Sequence, residues 1–114
     1  MNEEGFANLA IELWKLIRSF EQALEMLPLD KQSKVKAQVR FSYSRLVSLL
    51  DDAGVRIKCF DGEPFEPNLP VTAVNADDFN GVTENLVVKQ TIEPAVVKET
   101  KVLVFGKVVL ARGG

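Results

Sequence analysis

The sequence predicts an α+β chain: a helical hairpin over residues 1–54 that forms a four-helix bundle on dimerisation, then a small all-β domain over residues 55–114. Three observations predict it. Apolar residues recur at steps of three and four as far as Leu27, and the period changes to two at Val55. The helical stretch also carries more apolar surface than one hairpin partner covers.

The first helix is read from Phe6, Leu9, Leu13, Leu16, Phe20, Leu24 and Leu27, one stripe of a 3.6-residue period. Ile11, Trp14 and Ile17 widen that stripe. Pro28 ends the run, because it lacks an amide donor and disfavours helical geometry at the residue before it. Asp30 then reads as the N-cap of a second helix starting near Lys31. Along that helix Val35, Val39, Tyr43, Val47 and Leu50 follow one another at steps of three or four, with Leu46 and Leu49 beside them. Gly54 supplies the C-terminal stop. Pairing two hairpins would bury the surplus, which places Leu13, Leu16, Phe20, Tyr43, Leu46 and Leu50 at a homodimer interface. Trp14 is expected in the dimer core, or else as an exposed partner contact. The alternative packs both helices on the chain's own β-domain.

From Val55 the alternation Val55-Arg56-Ile57-Lys58-Cys59 reads as a half-buried strand, with Cys59 pointing inward. Gly62 to Pro70 follows; Pro64, Pro67 and Pro70 make it a stiff, exposed turn anchored by Phe65. Val71 to Val74 reads as a short strand and Asn80-Gly81 as a tight turn. Leu86 to Ile92 and Ala95 to Val97 read as strands, with Pro94 a local break or a bulge between them. Lys98-Glu99-Thr100 is a polar turn, and Val102 to Leu110 is the most β-prone segment, with Gly106 marking a bulge. Ala111 to Gly114 is expected to fray.

The composition narrows the function. A net charge of −2 gives no concentrated cationic face for nucleic acid. No apolar run reaches the roughly 20 residues that cross a bilayer. The acidic start lacks a signal-peptide layout, and a single cysteine fits a reducing cytoplasm. With no histidine, Ser-His and Cys-His nucleophile pairs are impossible and the commonest metal ligand is missing. Phe105-Gly106-Lys107 lacks the rest of a phosphate loop, and Asp51-Asp52 and Asp77-Asp78 lack the spacing of a calcium loop. The chain is therefore expected to bind another protein, without catalysis, cofactor, metal or small-molecule substrate.

Several stretches carry a family resemblance. Glu12-Leu13-Trp14-Lys15-Leu16-Ile17-Arg18-Ser19-Phe20-Glu21-Gln22-Ala23-Leu24 looks like a bundle helix of the pattern Glu-Leu-Leu-Pro-Val-Leu-Asp-Asn-Phe-Glu-Arg-Ala-Leu, and Arg45 to Val55 looks like its partner with the closing Gly-Val. Gly62-Glu63-Pro64-Phe65-Glu66-Pro67-Asn68-Leu69 is close to Gly-x-Pro-Phe-Asp-Pro-Asn-Leu. In this order the features resemble GrpE, the nucleotide-exchange cochaperone of DnaK-type chaperones, without that family's long N-terminal helix. The resemblance implies a dimer whose β-domain wedges open the chaperone's nucleotide-binding domain. It implies a contact face of Phe65, Pro67, Asn68 and Leu69 in the turn, with Lys101 and Val109 in the last hairpin. The pattern departs at Pro70, where the family has His, at Thr100, where it has a basic residue, and at Leu103-Val104-Phe105, where it has Arg-Pro-Ala. Those departures point to the alternative, a GrpE-derived dimeric adaptor without exchange activity.

Overall fold

The structure is a computed structural model that describes residues 2–80 and 84–113. It is α+β: two helices are followed by a small six-strand β region in two sheets.

Helix α1 spans Glu3–Leu24 and α2 spans Leu29–Asp52. Asn2 caps α1 by accepting from the Gly5 N–H at 2.7 Å. The periodicity carried the first helix to Leu27, but Glu25 to Leu27 form a turn ahead of Pro28. Pro28, not Asp30, occupies the N-cap of α2, its carbonyl accepting from Lys31 and Gln32. Asp30 instead sits in the first turn, where its charge complements the helix dipole. The buried Gln32 amide donates to the Leu27 carbonyl at 2.7 Å and the Glu25 carbonyl at 3.4 Å. This satisfies carbonyls left open where α1 ends. Gly54, at φ 74°, stops α2 as expected.

Strands β1 (Val55–Lys58), β4 (Ala95–Lys98) and β5 (Lys101–Val104) make an antiparallel sheet in the order β1-β4-β5. Strands β2 (Val71–Ala73), β6 (Gly106–Arg112) and β3 (Leu86–Glu93) make the second, in the order β2-β6-β3, with β2 parallel to β6. In effect residues 86–112 form one long hairpin, turned at Glu99-Thr100 and bent where Pro94 on one arm faces Gly106 on the other. The expected strand Val102 to Leu110 is thus two strands, separated at Phe105.

Gly106 does not mark a bulge. The register slips lie between Val88 and Gln90, between Thr91 and Glu93, and between Val96 and Val97. Gly106 permits the bend: a Cβ there would meet the Ala95 amide nitrogen at 2.8 Å and the Glu93 carbonyl at 2.9 Å. Asn80 has the left-handed backbone of a turn residue, while Gly81 of the expected Asn80-Gly81 turn lies outside the described residues. The C-terminus does not fray through Gly113. Ala111 and Arg112 pair with β3, and the Gly113 N–H donates to the Asn85 carbonyl; Gly114 lies outside the described residues.

Two apolar clusters result. Ala7, Ala10 and Ile11 of α1 and Leu50 of α2 pack on Val55 and Val96 of the first sheet. Phe60, Leu86, Val88, Ala95, Val108 and Leu110 form the second, closed over by Phe65, Leu69, Val71, Ala73 and Phe79. Val96 and Ala95 serve different clusters because successive residues of a strand face opposite sides.

Candidate functional site

Helix α1 has two apolar faces. Ala7, Ala10, Ile11 and Trp14 are buried within the chain. Leu9, Leu13, Leu16 and Phe20 are exposed, Leu16 at 67% and Phe20 at 49%. At 3.6 residues per turn the exposed stripe lies roughly 130° round the helix from the buried face. Its spacing of four, three and four keeps the side chains in one row, as in a helix–helix seam.

The residues expected at a dimer interface therefore divide. Leu13, Leu16 and Phe20 are exposed together on α1. Leu50 is only 3% exposed and belongs to the chain's own core, and Leu46 is half-buried against that core. Leu50 has no surface left for a partner. Tyr43 faces a cleft between the two helices. Trp14, expected at a dimer core or an exposed contact, is 5% exposed inside its own chain, with the Arg18 guanidinium 5.0 Å from its ring centre.

The Gly62–Pro70 turn is positioned by β3. Gly62 donates to the Val88 carbonyl at 2.7 Å, Val88 donates to the Glu63 carbonyl at 2.9 Å, and Phe65 donates to the Leu86 carbonyl at 2.9 Å. The segment thus lies along the outer edge of β3 and closes it. Phe65 and Leu69 are half-buried against the second cluster, whereas Pro67 and Asn68 are exposed. Val109 alternates with the core residues Val108 and Leu110, so it faces the other side of its sheet. Lys101 lies at the tip of the β4–β5 turn, where it and Lys98 each reach Glu3 at 3.2 Å. Hydrogen bonds from Lys101 and then Lys98 hold the Glu3 carboxyl below its ordinary pKa. Of the six residues of the expected contact face, Phe65 and Leu69 thus pack on the second cluster and Lys101 is paired with Glu3.

A cleft of about 600 Å³ between α1, α2 and the Cys59–Asp61 segment was not foreseen. Trp14, Ile17, Leu24, Val39 and Tyr43 give it apolar surface; Glu21 of α1 and Glu25 at its C-cap line one side, and Lys36 and Arg40 of α2 the other. Arg18 bridges its floor to Asp61 at 3.8 Å. The only signal in the sequence was the second apolar row, Trp14 and Ile17, whose meaning depends on how the helices cross.

Cys59 falls just past β1 and is exposed at the edge of this cleft, which corrects its expected inward orientation. The cleft walls desolvate part of the otherwise exposed Cys59 thiol, which, with Asp61 after it, pushes its pKa up; burial chiefly raises that of Tyr43. Neither group is activated as a nucleophile by such shifts. Among the described residues, no three His, Cys, Asp or Glu side chains converge to hold a metal ion. Nor, among the described residues, is any helix long and apolar enough to cross a membrane. Compared with known proteins, the chain matches no family model, no curated protein and no solved structure.

Proposed function

We propose that this chain is a GrpE-type cochaperone: a homodimer whose β region binds the nucleotide-binding domain of a DnaK-type chaperone and promotes nucleotide release. The observation that carries the reading is the exposed row Leu9-Leu13-Leu16-Phe20, which the chain's own core does not use. These side chains are 37–67% exposed, so covering what remains of each contributes about 1 kcal/mol, and a row of them favours a second copy. The order of elements, helical hairpin then compact β region, agrees with the resemblance carried by the Gly62–Leu69 turn.

The mechanism needs no catalytic group. A partner that binds the open state of the chaperone more tightly than the closed state shifts the population toward opening, and the nucleotide leaves. Pro67 and Asn68 are the exposed residues of the turn that would make this contact. Phe65 is a poorer probe, because its half-buried ring supports the second core.

A specific observation favours the second reading, an adaptor that keeps the dimer without exchange. Phe65 and Leu69 serve the core, Val109 faces elsewhere, and Lys101 is tied to Glu3. Release of a fluorescent nucleotide from a DnaK-type chaperone distinguishes the two. Acceleration that is lost in Pro67→Ala/Asn68→Ala supports the exchange factor. Unchanged release, from protein that is folded and dimeric, supports the adaptor and sinks the first reading.

A further inference from the structure

We propose that the free edge of β1, with the pocket it makes against α2, is a docking site for an extended peptide of alternating apolar and acidic residues. The peptide adds to the first sheet as a fourth strand. This site is separate from the α1 row and holds under either reading of the chaperone contact.

Strand β1 is bonded on one side only, to β4. Alternate N–H and C=O groups of such a strand point away from its neighbour. Among the described residues, no other backbone group bonds those of Val55–Lys58. The remaining edges are less open. The Gly62–Phe65 segment closes β3, β2 has only three residues, and β5 packs against α1 with its first residue held by Glu3.

Beside this edge lies a pocket of about 280 Å³, lined by Val47, Leu50, Asp51, Val55, Arg56 and Ile57. Val55 and Ile57 turn toward the helices, and Val47 remains exposed on α2 although apolar. Arg56 and Lys58 are exposed and leave the strand on its other face, the Arg56 guanidinium reaching round to Asp51 at the pocket rim. An added strand presents its own alternate side chains to the same two faces. Apolar residues of one parity then enter the pocket beside Val47 and Ile57, and acidic residues of the other lie across from Arg56 and Lys58.

Arg56 has one loose, exposed ion pair, with Asp51 at 3.9 Å, which a better-placed carboxylate readily replaces. Charge also decides between occupants. A second copy of β1 would set Arg56 and Lys58 against their like, which disfavours self-pairing.

The test uses the full chain and a fluorescein-labelled, C-terminally amidated peptide, Glu-Val-Glu-Val-Glu-Val. Saturable binding by anisotropy is expected, together with slowed amide exchange at alternate residues of β1. Arg56→Glu/Lys58→Glu should weaken binding by about tenfold or more, and so should Val47→Asp. All three positions are exposed, so unchanged thermal melts will show that the variants fold. A peptide with Lys in place of Glu should fail to bind. The proposal is overturned by absent binding, by binding indifferent to these substitutions, or by slowed exchange elsewhere than β1. It is also overturned if β1 is protected without peptide as concentration rises, which would make the occupant a second copy.

Discussion

The Asn75 carboxamide makes both hydrogen bonds that a neighbouring strand would make to Leu110. Its Oδ1 accepts from the Leu110 N–H at 2.9 Å, and its Nδ2 donates to the Leu110 carbonyl at 2.9 Å. Parallel strand β2 ends at Ala73, and this side chain continues its pairing with β6 for one more residue. Asn75→Ala leaves both Leu110 groups without a protein partner and should cost about 1–3 kcal/mol in urea unfolding. In Asn75→Asp the ionised oxygen faces a carbonyl, so that variant should be no more stable than alanine at neutral pH and should recover in acid.

Glu93 ties the two halves together, accepting from Lys15 of α1 at 3.0 Å and lying 3.4 Å from Lys107 of β6. The hydrogen bond from Lys15 is the largest cause holding its carboxyl below the ordinary pKa. A depressed folded-state pKa gives stability that is present above the ordinary carboxylate range and lost as the pH falls through the lowered value. Glu93→Gln should therefore cost about 1 kcal/mol at pH 7. The difference from wild type should vanish in acid, measured by urea unfolding across a pH series.

Gly106→Ala should destabilise the fold by about 1–3 kcal/mol, because the added methyl meets the backbone of Glu93 and Ala95 and neither can swing aside. A thermal melt measures the loss. A variant as stable as wild type would mean that the bend is not held by that close approach.

Trp14 is the single tryptophan and reports on the cleft. Arg18→Gln removes the cation over its ring and should cost about 0.5–1 kcal/mol. The emission maximum should move to the red as the indole meets water.

The features legible in the sequence were those fixed by a residue's own backbone chemistry. Pro28 and Gly54 delimit the helices, Pro94 breaks the strand, and the Glu99-Thr100 turn falls where polar residues interrupt two apolar runs. Periodicity revealed that α1 is apolar on much of its circumference, but not which part faces the core. That depends on how the helix crosses the first sheet, so periodicity alone assigns Trp14 and Leu50 to an interface although they are buried inside the chain. Non-local pairing was equally hidden. The Gly62–Phe65 segment looks like a free turn until β3 lies beside it, and the roles of Gln32 and Asn75 depend on backbone groups outside their own elements. The cleft at Cys59 needed all three of its walls.

Sedimentation equilibrium of the wild-type chain and of Leu16→Glu/Phe20→Glu tests whether two copies pair through α1. Both side chains are exposed, so the variant should fold as wild type does. A seam of two copies would trap its unpaired charges. Pairing through α1 gives twice the chain mass for wild type and the single-chain mass for the variant, with superimposable circular dichroism. A monomeric wild type, or a variant that stays dimeric, would contradict it.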